Sequence, residues 1–270
     1  MTHLIDIFYN IKTNEIASGK LEHYFPIYES IFEPYKSKEI NFLEIGINKG
    51  GDLLIWETYF TNLKKIIAID ILPQCKELEH FLKKTEIIIG DQGNLQFLED
   101  LSSKHKNFDI ILDDGGHQFH QQINSFKYLF KSLNSGGIYV IEDTHSSYDN
   151  YANLYPKDNV YGGGKNKPNT TIEYFKGLVD ELHAWSFTKE HGVCPEHTIR
   201  ANTWTDFLIA NNIEIQDIDY FRENIESITF YDSIIVIKKN KKQMPRVIFN
   251  DKTGEKYYSN RKKTNEYENN

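Results

Sequence analysis

"INFLEIGINKGGDLLIWETYF", Ile40 to Phe60, decides the architecture. An apolar run from Ile40 breaks on Gly46, Gly50 and Gly51, and "LLIWETYFTNL" then resumes at helical spacing. This reads as a buried strand, a glycine turn and an amphipathic helix. Outward from it the alternation repeats. "KIIAIDI" is a second strand, "TEIIIGD" a third after a helical stretch around "KELEHFLKK", and "FDIILDD" a fourth. "QQINSFKYLFKSL" is a helix and "GGIYVIED" a fifth strand. Strands alternating with helices imply a mostly parallel sheet covered on both faces. The strand cores show little polar alternation, as a doubly covered sheet requires.

The flanks complete the expectation. "HLIDIFYNI" and "YFPIYESIFEPY" read as N-terminal helices, and "TTIEYFKGLVDELHAW" as a helix that Thr170 or Thr171 caps. "ESITFYDSIIVIKK" reads as two more strands broken near Tyr231–Asp232, which makes seven. The expected unit is one α/β domain over 1–240: a helical cap (1–40) and a Rossmann-like core (41–240) with a lid at about 148–167. A polar tail follows at 241–270. Glycines 162–164 would give the lid its hinge, and Lys165 or Lys167 would reach a diphosphate.

Composition narrows the function. The net charge is -8, which argues against nucleic acid as the main partner. No apolar run approaches the roughly 20 residues that span a bilayer, and "MTHLIDIFYN" lacks a basic leader region. Only two cysteines, Cys75 and Cys194, are present, so a reducing cytoplasm is expected, without a disulfide framework.

Ligands of open parallel sheets sit at the carboxyl ends of the strands. The first strand ends Glu44-Ile45-Gly46 and runs on to Gly50; the second ends at Asp70, 24 positions past Gly46; the third ends Asp91-Gln92. Glycine admits close backbone approach, Asp70 can accept from both ribose hydroxyls, and Asp91 or Gln92 can read an adenine edge. The E-x-G-x-x-x-G pattern resembles motif I of the class I S-adenosylmethionine-dependent methyltransferases and is not a dinucleotide fingerprint. The fourth and fifth strands end in Asp113-Asp114 and Glu142-Asp143. Carboxylates that converge at one sheet edge repel unless a cation neutralises them. Oxygen donors suit Mg²⁺, with Mn²⁺ or Ca²⁺ as alternatives.

"SGKLEHYFPIYESIF", "EIGINKGGDLLIWETYF", "IGDQGNLQFL", "DIILDDGGHQFHQQINSFKYLF", "GGIYVIEDTHSSY" and "SITFYDSIIVIKK" occur in order. Together they resemble the macrocin- and mycinamicin-type sugar O-methyltransferases, many relatives of which lie in bacterial capsule and surface-polysaccharide clusters. The resemblance implies Mg²⁺-dependent methyl transfer from S-adenosylmethionine to a sugar hydroxyl. It places metal ligands at Asp114, Glu142 and Asp143, with Asp113 the rival for the first. By comparison with catechol methyltransferases, which place a catalytic lysine three residues after a metal aspartate, it puts the base at His117; His145 is second choice and Asp113 a third. The family's Asp before Lys20 is Gly19 here, its His before Phe-Tyr-Asp is Thr229, and the mycinamicin type's extra N-terminal domain has no counterpart in the sequence read.

The expected acceptor is a nucleotide-activated sugar for surface polysaccharide, with a secondary-metabolite glycoside as the alternative; the oligomeric state is left open. A nicotinamide dehydrogenase would need G-x-G-x-x-G after the first strand, which is absent. Its Tyr-x-x-x-Lys pair occurs as Tyr161–Lys165 and Tyr258–Lys262, neither within a stretch of helical spacing. A non-catalytic binding module would have no use for the strand-end acids, yet all of them stand.

Overall fold

A computed structural model describes residues 3–11, 16–148, 160–184 and 215–242. Seven strands form one sheet: β1 (Ile40–Ile45), β2 (Leu63–Asp70), β3 (Thr85–Ile89), β4 (Phe108–Asp113), β5 (Leu133–Ile141), β6 (Ile225–Phe230) and β7 (Ile235–Lys239). Their order is β3-β2-β1-β4-β5-β7-β6, with β7 antiparallel to both neighbours and the first five strands parallel. The order reverses between β1 and β4. Loops that leave those two strands in opposite directions open a crevice there.

The helices are α1 (Leu4–Asn10), α2 (Tyr24–Phe32), α3 (Gly51–Tyr59), α4 (Leu95–Lys104), α5 (Phe119–Leu129), α6 (Thr171–Ala184) and α7 (Ile215–Asn224). Strand alternation divides the core into two layers. Phe42, Ile66, Ala68, Ile110, Leu112 and Val140 face α1–α3, where Trp56 packs edge to face on Tyr28 and Phe32. Leu43, Ile45, Ile67, Ile111, Tyr139 and Ile141 face α4–α7, around Phe126 and Phe221. Among the described residues no helix is long and apolar enough to cross a membrane.

Three details depart from the sequence reading. The stretch after β2 is a run of 3₁₀ turns, Pro73–Phe81, and not an α-helix. Helices α4 and α7 had not been read. The α4 start had a local signal, because the Asn94 side chain accepts from the Gln96 and Phe97 amides as an N-cap. The expected lid at 148–167 is described only at its ends: 149–159 lie outside the described residues, as do 243–270 of the tail. Its last part is pinned beside the site. The amides of Gly162 and Gly164 donate to the Ser146 and Ser147 carbonyls, and the Tyr161 hydroxyl to the Gly116 carbonyl. Lys167 lies over the Phe119 ring, its ammonium 5.5 Å from the ring centre.

Candidate functional site

A cavity of about 490 Å³ opens over the carboxyl ends of β1, β2, β3 and β4. Five carboxylates line it: Asp52, Asp70, Asp91, Asp114 and Asp143. Gly46 crosses beneath with φ at +90°, and a side chain there would collide with the Asp114 carbonyl. The glycine therefore lets β1 pass the end of β4. Asp70 holds the glycine turn: one oxygen accepts the Ile47 and Asn48 amides at 2.8 and 3.1 Å, the other the Leu72 amide at 2.9 Å. Asp91 accepts the Gly93 amide at 2.7 Å. Gly50 caps α3 in a left-handed conformation.

Gln92 and Asp113 form an internal brace. The Gln92 amide donates to Asp113 at 2.6 Å and its carbonyl accepts the Gly116 amide at 3.1 Å. The Tyr139 hydroxyl donates to the second Asp113 oxygen at 3.4 Å. Burial pushes the Asp113 carboxyl up to about 7. Two of the expected site residues are engaged internally here. Asp113 is fully buried on the α4–α7 face and does not line the cavity, whereas Asp114 does. The Gln92 amide group is spent on the brace and the loop. The cause is alternation: Asp113 shares a face with Ile111, and Asp114 points the opposite way.

Across the sheet the acids gather. Asp113 pairs in register with Ile141, so Asp114 and Glu142 come side by side. Between them lies Lys20. Its side chain is 4% exposed, and its ammonium is 2.8 Å from both Glu142 oxygens and 3.0 Å from Asp52 and also bonds Asp114. Burial alone would lower its pKa, but Asp114, Asp52 and Glu142 hold it raised. Glu142 is buried, and burial together with Asp114 pushes its carboxyl well above the usual range. Glu44 lies on the same face, fully buried, with neither oxygen hydrogen-bonded and its carboxyl likewise raised by burial and then Asp52. It faces inward and does not touch the cavity, contrary to its expected place in the donor site.

Asp143 turns outward, its backbone left-handed at φ +53°. It accepts the Tyr24 hydroxyl at 2.6 Å and lies 3.4 Å from His117 Nε2 and 4.0 Å from His145 Nδ1. Asp114, His117 and Asp143 offer ligand atoms within 4.8 Å of one another. The expected metal trio is thus split: Asp114 and Asp143 meet His117 at the cavity, while Glu142 sits deeper on Lys20. His117 lines the cavity and His145 does not. The His117 Nδ1 is buried without a hydrogen-bond partner.

Lys20, Asp52 and Tyr24 were not read as site residues. Lys20 and Tyr24 lie in the "SGKLEHYFPIYESIF" element that carried part of the resemblance, which was the available signal.

The strand order, the antiparallel β7 and the cavity at the strand ends define a class I S-adenosylmethionine-dependent methyltransferase fold. Within that class the chain resembles the macrocin- and mycinamicin-type sugar O-methyltransferases. It is 32% identical over 194 residues to the 8-demethyl-8-(2-methoxy-alpha-L-rhamnosyl)-tetracenomycin-C 3'-O-methyltransferase of Streptomyces olivaceus, covering 66% of this chain and 46% of that one. It is 30% identical over 193 residues to the demethylmacrocin O-methyltransferase of Streptomyces fradiae, covering 67% and 45%. The chain therefore spans about half the length of the curated relatives it matches. The MycE methyltransferase of the mycinamycin biosynthetic pathway, solved in complex with Mg and SAH, superposes with a TM-score of 0.66 at 23% identity, over 93% of this chain and 57% of that one. No protein-family model matches.

Proposed function

We propose that this chain transfers the methyl group of S-adenosylmethionine to a sugar hydroxyl, with Mg²⁺ or Mn²⁺ at the Asp114–Asp143 edge. The observation that carries the reading is one continuous cavity. It runs from the glycine turn and Asp70 to the Asp114–His117–Asp143 group. Its carboxylates suit a sulfonium donor, which is cationic, and its hard oxygen donors suit a divalent ion. When bound, such an ion would act as a Lewis acid and make a sugar hydroxyl more acidic, with Asp114 and Asp143 the residues that would hold it.

The chain's own residues do the rest. Asp70 orders the turn against the donor and presents acceptor oxygen to its ribose. Asp114 and Asp143 hold the ion, with Glu142 behind them. His117 takes the hydroxyl proton as the sugar oxygen forms its bond to the methyl carbon, the sulfur–methyl bond breaks and the neutral thioether leaves. Asp143, 3.4 Å from His117 Nε2, stabilises the imidazolium. Positioning supplies most of the acceleration, because the donor is already activated.

The relatives are named for methylation of glycosides, which supports a glycoside acceptor. The acidic lining also disfavours a diphosphate, so the nucleotide-sugar acceptor is the second reading. Incubation with S-adenosylmethionine and Mg²⁺ across panels of rhamnosides, other deoxyhexosides and nucleotide sugars, read by mass spectrometry, tests both. A gain of one methyl on a sugar is expected. Donor consumption on no sugar of either panel would overturn the assignment.

A further inference from the structure

The metal edge already holds a cation of the chain's own. Asp52, Asp114 and Glu142 converge on the Lys20 ammonium, with Glu44 buried close by. A charge so well surrounded is held in place of water, and it offsets the mutual repulsion of acids brought together on one face. The same charge stands against Asp114, which a divalent ion would need, with Glu142 bonded to it from behind. Two cations a few ångströms apart at this dielectric oppose each other strongly.

We infer that Lys20 is an exchangeable counter-ion: it neutralises the acid edge before a divalent ion arrives, competes with that ion for Asp114, and withdraws onto Asp52 when the ion binds. The inference rests on the metal reading above. Asp52 is suited to be the seat. It opens α3, it lies 3.0 Å from the Lys20 ammonium, and its other oxygen accepts the Ser18 hydroxyl. Ser18 and Lys20 belong to one segment that is fastened to the glycine turn: the Ala17 amide donates to the Lys49 carbonyl and the Gly51 amide to the Ala17 carbonyl. A side-chain rotation of Lys20 therefore reaches Asp52 with the backbone fixed. The cluster is never left without a cation, and the lysine sets how tightly the divalent ion is held.

The experiment is a mutant cycle on the full chain, with Mn²⁺ affinity measured by electron paramagnetic resonance and thermal stability measured with and without Mn²⁺. Lys20→Met should bind Mn²⁺ at least about tenfold more tightly than the native chain. It should also melt lower without the ion and recover most of that loss with it. Lys20→Arg, which keeps the charge, should stay near the native affinity. Asp52→Asn should weaken binding, since the lysine loses its seat, and most of that weakening should vanish in the Lys20→Met background. Equal or weaker binding by Lys20→Met would overturn the inference, as would an Asp52→Asn effect that is the same with and without the lysine. If Lys20→Met does not fold, Lys20→Gln, which keeps a polar head, carries the same expectations. The native chain separates the two readings. If it binds no Mn²⁺ but Lys20→Met does, the competition stands and the proposed metal dependence fails; if neither binds, both fail.

Discussion

Asp113 and Asp114 are neighbours in the chain but serve opposite faces of the sheet. Asp113 accepts the Gln92 amide at 2.6 Å beneath the glycine loop, while Asp114 meets Lys20 on the other side. The pair predicts two different phenotypes. Asp113 keeps its proton up to about pH 7 when folded, against an ordinary value of 3.8. Between those values the unfolded chain has released a proton that the folded chain retains. Stability attributable to Asp113 therefore falls as pH rises from about 4 to about 7, by at most about 4 kcal/mol. Asp113→Asn should lessen that slope in urea titrations and leave the share due to Glu44 and Glu142. An unchanged slope would show that Asp113 ionises normally. Asp114→Asn should leave the slope's Asp113 share in place and abolish Mn²⁺ binding.

Asp70 accepts three backbone amides of its own chain, so it holds the glycine turn whatever else it does. Asp70→Ala should lower the melting temperature. It should also cost about 2–3 kcal/mol of affinity for S-adenosylhomocysteine, through the loss of charge-assisted hydrogen bonds. Calorimetry on the folded variant checks this. A lower melting point with unchanged affinity would confine Asp70 to the turn.

Much of the frame was legible because parallel strands buried on both faces must be continuous apolar runs. The "INFLEI", "KIIAID" and "FDIILD" stretches can be little else. The crevice followed from where those runs stop. Which of Asp113 and Asp114 faces the cavity was not legible, since a shift of one residue inverts a strand's faces and only the pairing with β5 sets the phase. Lys20 was harder still. It meets Asp114 across 94 positions of chain, and lysine is ordinarily among the most exposed residues. The α4 helix was missed although Leu95, Leu98 and Leu101 fall at helical spacing, because the polar residues between them resemble a loop.

Turnover should require a divalent ion, and the two acids after β5 should differ in how they fail. Asp143→Asn removes a cavity-lining carboxylate beside His117, so it should cut the rate by about 10²-fold or more and weaken Mn²⁺ binding. Glu142→Gln leaves the Lys20 ammonium short of one anionic partner, so it should lower the rate and also the melting temperature. Both should bind S-adenosylhomocysteine nearly as the native chain does. Full activity after exhaustive chelation would return these carboxylates to a structural role.

The two histidines flank Asp143, His117 at 3.4 Å and His145 at 4.0 Å, but only His117 lines the cavity. Its left-handed backbone, φ +56°, turns the chain sharply just after Gly115-Gly116, a conformation that costs energy in a non-glycine residue. The buried and unpartnered Nδ1 leaves Nε2 as the atom that reaches the site. If His117 is the base, His117→Ala should lower the maximal rate by about 10²-fold or more, while S-adenosylhomocysteine affinity and Mn²⁺ affinity hold. The acid limb of the pH–rate profile should shift, because the group that accepts the hydroxyl proton has been removed. Loss of Mn²⁺ binding in His117→Ala would instead make the imidazole a ligand beside Asp114 and Asp143, and the proton would then leave by another route. His145→Ala should retain most of the rate. A large loss there, with both affinities intact, would transfer the role to His145; if neither variant loses rate, no histidine serves as the base.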